Sequence, residues 1–494
     1  MSAAPALAER LADPSLLKGH CLVGGHWVEA VAGETKRIAS PLDGSEIARV
    51  PYLTLAGIRK AINAAHGAWP AWRALTAQAR GDLLKSWYDL MMANQEDLAT
   101  ILTAEQGKPL AEARGEIAYA ASFVEWFAEE GKRVYGDTIP SPSEGMRIIV
   151  MKEPVGVSAA ITPWNFPAAM VTRKVAPALA AGCPMIVKPA SQTPLTALAL
   201  GELAQRAGLP PGVLNIITGN ARNIGSELTA NPLVRKLSFT GSTEVGRRLL
   251  ADAAVNIQKV TLELGGNAPF IVLDDADLEA AVEGALVSKY RNTGQTCVCA
   301  NRFFVQAGIY NAFAERLMAA VADLKVGSGF EEGVQQGPLI DTAALTKVRA
   351  HIGDAVEKGA RVLVGGQTHA LGGTFFQPTV LGDVTPAMRI CHEETFGPVA
   401  PLIRFDNVDE MLQIANDSPF GLAGYLYGRD IERIVRVAEG LEVGMVGVNT
   451  GLLSSAVAPF GGVKQSGIGR EGSRYGIEAY LELKYVCLNV NCSA

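Results

Sequence analysis

No stretch of the 494 residues runs to eighteen consecutive apolar side chains, so no segment is expected to span a bilayer. There is no long basic run either. With 44 Lys and Arg against 50 Asp and Glu the net charge is −6, which argues against nucleic acid or an anionic membrane as a partner. The opening MSAAPALAERLADPSLL lacks a basic start followed by an apolar core and does not read as a secretory signal. Seven cysteines, at 21, 183, 297, 299, 391, 487 and 492, are odd in number and scattered, without a disulfide framework. No CxxC pair suggests a metal, and none is expected. A reducing, cytoplasmic setting fits this pattern. Solenoid repeats and low-complexity tracts are absent too.

What is present is enzyme-like. At this length two or more domains are expected, and 48% hydrophobic residues are enough to fill their cores. Residues 1–20 read as a mobile or loosely docked arm, 21–50 as short strands, and 55–131 as helices with apolar residues three and four apart. Over 156–265 short apolar strands (GVSAAI, PMIVKP, VLNIIT, KLSFT, KVTLEL) alternate with helices (AAMVTRKVAPALAAG, TPLTALALGELAQRAG, STEVGRRLLADAA), the mark of βαβ units and a parallel sheet. From Ala268 the alternation resumes, so a second α/β unit is expected. The tail YLELKYVCLNV alternates as an exposed strand, and with residues 147–151 it is expected to pair across a subunit interface.

Three stretches carry chemistry. YRNTGQTCVC (290–299) sets Cys297 after a flexible turn, TPWNFP (162–167) offers the amide of Asn165, and LELGG (262–266) offers the carboxylate of Glu263. Nucleophile, oxyanion donor and base are what acyl chemistry on a carbonyl requires. SFTGSTEVG (238–246) is a strand, a glycine turn and a helix, where backbone can approach a pyrophosphate. KPAS (188–191) closes a strand where ribose sits in a doubly wound sheet.

Together these motifs, with EETFGP at 393–398, resemble the aldehyde dehydrogenase superfamily over nearly the whole chain, and the succinate-semialdehyde dehydrogenases in particular. The resemblance implies an α/β, aldehyde dehydrogenase-like fold: a Rossmann-like cofactor domain (1–131 and 154–262), an α/β catalytic domain (263–449), a small β oligomerisation element (132–153 and 475–494), and a segment (450–474) returning near the active site. It implies Cys297 as nucleophile, Glu263 as general base, and Asn165 with the Cys297 amide as oxyanion hole. Trp164, Asn165, Lys188, Pro189, Ala190, Ser191, Gly241, Ser242, Leu264, Glu394 and Phe396 are the implied cofactor contacts. Lys174 and Glu471 match polar positions that help move protons. Ser191 departs from the glutamate usual in NAD-preferring members; a serine beside Lys188 suits a 2′-phosphate, so NADP is expected ahead of NAD.

For the substrate, the matching Arg173, Arg291 and Ser454 bind a distal carboxylate in the family resembled, and an arginine fork suits that group. Succinate semialdehyde is the expected substrate. Glutarate semialdehyde stays open, because one methylene discriminates by only ~1–3 kcal/mol. A thioester-forming hydrolase is the rival reading. The spacing of Cys299 from Cys297 raises a reversible disulfide. A homodimer or homotetramer is expected.

Overall fold

The computed structural model describes residues 7–29 and 34–490. Two sheets organise them. The first has eight strands, of which five run parallel in the spatial order Leu214–Ile216, Met185–Lys188, Val157–Ile161, Val234–Thr240, Lys259–Glu263. Counted along the chain that order is third, second, first, fourth, fifth. It is the doubly wound arrangement, which opens a crevice at the carboxyl ends of the strands where the order reverses. Cys21–Val23 and His26–Val28 extend one edge, and Gly467–Ile468 lies antiparallel on Lys259–Glu263 at the other.

Helices cover both faces, so the central strands are apolar without alternation; Met185–Lys188 is buried at every residue. Helix Ala169–Ala181 is buried along all its length, Arg173 and Lys174 included, and stops at Gly182 in the left-handed conformation (φ 97°). The second sheet has seven strands in the order Arg361–Val364, Thr379–Gly382, Val399–Phe405, Ala300–Gln306, Ala268–Val272, Ala423–Tyr427, Met445–Val448, all parallel but the first.

Several elements differ from expectation. A helix, Ala221–Ala230, joins the third and fourth parallel strands. Its start is set by Asn220, which accepts from the amides of Arg222 and Asn223. Helices Thr342–Glu357 and Ile431–Gly440 likewise lie in stretches read without structure. The N-terminal arm is docked over the described part: Leu7, Leu11 and Leu16 are buried, and Asp97 accepts from the amides of Ala12 (2.8 Å) and Asp13 (2.7 Å). Residues 1–6 lie outside the described residues.

The tail strand, Leu481–Asn489, finds its partner in its own chain. It pairs antiparallel with Met146–Pro154, which pairs in turn with Asp137–Ile139. Its outer edge has no partner strand among the described residues, and Leu483 (70%) and Tyr485 (63%) stand exposed on it. Residues 491–494, with Cys492, lie outside the described residues. No helix among the described residues is long and apolar enough to cross a membrane, and no cluster of metal-ligating side chains occurs among them.

Candidate active site

The carboxyl ends of the parallel strands converge on one cavity of about 370 Å³. Trp164 and Asn165 come from the turn after Val157–Ile161, Gly241 and Ser242 from the turn after Val234–Thr240, and Leu264 follows Lys259–Glu263. Cys297, Glu394 and Phe396 reach the same cavity from the second sheet's loops. The cysteine loop, between Leu278–Tyr290 and Ala300–Gln306, turns through three left-handed residues: Asn292 (φ 52°), Thr293 (φ 56°) and Gly294 (φ 76°). A β-branched Thr there is strained, and the surroundings hold it. A Cβ on Gly294 would meet the Gly397 carbonyl at 2.2 Å, and one on Gly266 would meet the Cys297 carbonyl at 2.5 Å. Both glycines let backbones approach where no other residue fits.

Cys297 is half-buried, and burial pushes its thiol up to about 12; the charge of Arg173 opposes that, while Glu394 and Glu263 add to it. Burial, then the charge of Glu471, lifts Glu263 well above the carboxylate range, and both its oxygens are buried without a partner. Both shifts favour the protonated forms, so the thiol and the carboxyl each have to lose a proton before they could act as nucleophile and base. Asn165 donates through Nδ2 to the Gln295 carbonyl (2.9 Å). The Cys297 amide donates to no protein acceptor among the described residues, which leaves it open to a substrate oxygen.

Lys174 and Glu471 meet as a fully buried ion pair, and Arg173 Nε reaches the other Glu471 oxygen at 2.5 Å. Burial raises Glu471, but Lys174 and Arg173 outweigh it and hold the carboxyl below its usual range. Ser238 donates to the same carboxylate (3.3 Å), and Thr261 donates to Ser238 (3.1 Å). Behind them Lys236 donates to Thr261 (2.9 Å); burial, with the charge of Lys174, lowers it to about 7.

A second buried pair escaped the sequence reading. Lys108 donates to Glu116 (2.5 Å) and to the backbone carbonyl of Asn165 (2.8 Å), while Glu116 accepts from the amides of Ala168 (2.9 Å) and Ala169 (3.3 Å). Asn292 adds a donor to the Asn165 carbonyl (3.0 Å) and is itself held by Gln106 (3.0 Å). These contacts fix the turn that presents Asn165. All but Lys108–Glu116 join residues more than fifty positions apart, which motif spacing does not reveal.

On the cofactor side Glu394, lifted by burial to about 7, accepts from the Gly266 amide (3.2 Å). Trp164 and Phe396 pack edge to face at 5.5 Å. Ser242 caps helix Thr243–Ala253, whose free amides suit a pyrophosphate, and a Cβ on Gly241 would meet the Phe239 ring at 2.5 Å. Lys188, Pro189 and Ser191 line a separate cleft; Ala190 is buried and not on its wall. An anion cradle, an aromatic pair and a carboxylate along one crevice fit a nicotinamide dinucleotide.

On the other side, a cavity of about 310 Å³ is lined by Glu112, Glu116, Tyr119, Phe166, Arg291, Leu452 and Ser454. Arg291 lies over the Phe166 ring (4.8 Å) and makes no ion pair among the described residues. Arg173 is not on this wall. Its guanidinium lies over Phe460 (4.2 Å), Nη1 is buried without a partner, and the Tyr119 hydroxyl neighbours both Arg173 and Ser454. Cys299 faces inward: Thr296 donates to its sulfur (2.9 Å), and the thiol donates to the Lys289 carbonyl (3.4 Å).

Residues 27–486 match the aldehyde dehydrogenase family, and the chain belongs to that family. Within it, the chain is 60% identical over 481 residues to the NADP(+) succinate-semialdehyde dehydrogenase of Escherichia coli, covering 97% of this chain and 100% of that one. It is 62% identical over 479 residues to a glutarate-semialdehyde dehydrogenase of Pseudomonas aeruginosa (97% and 99% covered). To a 3-sulfolactaldehyde dehydrogenase of Pseudomonas putida it is 63% identical over 478 residues (97% and 98%). The crystal structure of an E. coli NADP-dependent enzyme superposes with a TM-score of 0.96 at 60% identity, covering 97% of this chain and 100% of that one. The protein is an aldehyde dehydrogenase, an oxidoreductase that uses a nicotinamide cofactor.

Proposed function

We propose that the enzyme oxidises a short semialdehyde with a distal carboxylate, succinate semialdehyde first, with NADP preferred over NAD. Cys297 is the nucleophile. Cys297 gives up its proton to water, and the sulfur adds to the aldehyde carbon to give a thiohemiacetal whose oxyanion lies between Asn165 Nδ2 and the Cys297 amide. A nicotinamide held by Trp164, Gly241, Ser242, Glu394 and Phe396 would supply the hydride acceptor needed to oxidise this adduct to a thioester. Glu263 then takes a proton from water as that water attacks the thioester, releasing the acid and the thiol. Lys174 and Glu471 carry the proton onward.

The observation that carries the substrate class is Arg291, without an ion pair and sharing a cavity with Ser454, with the free Nη1 of Arg173 beside Tyr119. The named substrates of all three relatives are short aldehydes bearing a distal anion. Glutarate semialdehyde is the second reading, because such a receptor discriminates weakly against one methylene. The test is the ratio of kcat/KM for succinate semialdehyde to that for butanal. Arg173→Ala and Arg291→Ala are each expected to lower that ratio by about tenfold or more, roughly 1.4 kcal/mol. Equal losses for both aldehydes would make the arginines structural. The proposal includes a cytoplasmic homodimer or homotetramer joined through the free edge of Leu481–Asn489. Light scattering of Leu483→Lys/Tyr485→Lys, expected to shift toward monomer, checks it.

A further inference from the structure

The cleft holding Lys188 and Ser191 contains a second cation that belongs to none of the motifs. Strand Thr35–Ala39 places Lys36 on its wall, and pairing of Lys36 with Val50 across the hairpin fixes that position. Lys188 is only 5% exposed and Lys36 is half-buried. Among the described residues neither ammonium makes an ion pair or a hydrogen bond, and no Asp or Glu lines the cleft. Tyr52 and Thr218 complete the polar wall. Two like charges brought together and partly dehydrated without a counter-charge are unfavourable. Burial, with the charge of Lys36, lowers Lys188 to about 8. Such a pair becomes favourable when an anion arrives between its members.

We infer that Lys36, Lys188 and Ser191 form a two-cation receptor for the 2′-phosphate of NADP, in which Lys36 supplies the charge that favours a phosphate over a bare ribose diol. The inference rests on the NADP reading above and adds a residue to it. A phosphate monoester carries about −1.5 to −2 at neutral pH and three acceptor oxygens, enough to engage both ammoniums and the Ser191 hydroxyl. A diol leaves the two cations in mutual repulsion. The titratable groups lining the cleft are Lys36, Lys188 and Tyr52. Because Lys188 must be protonated to hold the dianion, the preference for NADP is expected to weaken as pH rises above about 8.

Direct binding tests this without turnover: titration of the folded enzyme with NADPH and with NADH, followed by nicotinamide fluorescence. Lys36→Met is expected to weaken NADPH by roughly tenfold, the scale of one charge-assisted hydrogen bond, and to leave NADH within about twofold. Lys36→Arg is expected to retain most of the NADPH affinity, and calorimetry with 2′-AMP should reproduce the order. Unchanged NADH binding also serves as the check on folding. Equal loss for the two cofactors, or loss for neither, would overturn the role of Lys36. If wild type binds NADPH no tighter than NADH, the NADP reading itself fails. If wild type prefers NADPH and Ser191→Glu removes the preference while Lys36→Met does not, only the present inference fails.

Discussion

Helix Ala169–Ala181 meets two buried lysine–glutamate pairs, and they differ in how fully they are saturated. At its first turn Lys108 and Glu116 leave little unspent: Glu116 accepts hydrogen bonds from Lys108, Ala168 and Ala169, and Lys108 donates another to the Asn165 carbonyl. Further along, Lys174 and Arg173 share Glu471, yet Arg173 keeps a free Nη1 and the neighbouring Glu263 keeps two free oxygens. A saturated pair can only hold geometry, because removing any partner strands a buried charge. An unsaturated one, where a thiol and a carboxylic acid stand ready to titrate, can exchange protons. Burial and salt bridging are common to both; free hydrogen-bonding capacity separates scaffold from chemistry.

The contrast is sharpest at the reacting groups. Cys297→Ala is expected to abolish dehydrogenase and esterase activity together, and Glu263→Gln to slow thioester hydrolysis by ~10²–10⁴-fold. Rapid mixing of the glutamine variant should still show a burst of reduced cofactor; no burst would place Glu263 before hydride transfer. On the saturated side, Lys108→Met is expected to cost roughly 3–5 kcal/mol of stability, measured by denaturant unfolding, with no shift in the pH–rate profile.

Glu471→Gln should do the reverse. Glu263 works as a base only when ionised, and the charge of Glu471 raises it while Lys174 and Arg173 lower it. Removing that charge lowers Glu263, so the acid limb of thioester hydrolysis is expected to move to lower pH. An unmoved limb would erase the distinction between the pairs. The smallest effect is expected at Cys299. Cys299→Ala should leave kcat/KM within about twofold, as for a small core residue. It should also remove dithiothreitol-reversible inactivation by peroxide, in which two thiols lose two hydrogens and peroxide becomes water. Intact mass of the oxidised wild type reads those two hydrogens directly.

Much of this architecture was legible, for identifiable reasons. Buried parallel strands leave continuous apolar runs, so 156–265 declared its strands and most of its helices. The glycines of LELGG and YRNTGQTC mark backbone approaches that side chains forbid. The helix at Ala221–Ala230 escaped because its apolar face is little more than Ile224 and Leu228, although the Asn220 cap was there to be read. The tail strand was recognised from alternation and set with residues 147–151, but alternation is blind to the chain a neighbour belongs to, and the two pair within one chain. Lys108, Glu116 and Lys36 belong to none of the motifs. Only the folding of distant segments onto Asn165 and Lys188 gives them neighbours.

The strand Gly467–Ile468 sets a schedule. It covers the edge of Lys259–Glu263, pairing Gly467 with Glu263, and Glu471 follows four residues later. On a ribosome moving at about 5–20 residues per second, Glu263 emerges roughly 10–40 s before the strand that flanks it. During that interval the parallel sheet has an open edge, and Lys174 has no Glu471 to neutralise it. The growing chain therefore carries Cys297 and Asn165 before it carries Glu471. The Lys174–Glu471 pair can form only once Glu471 has emerged.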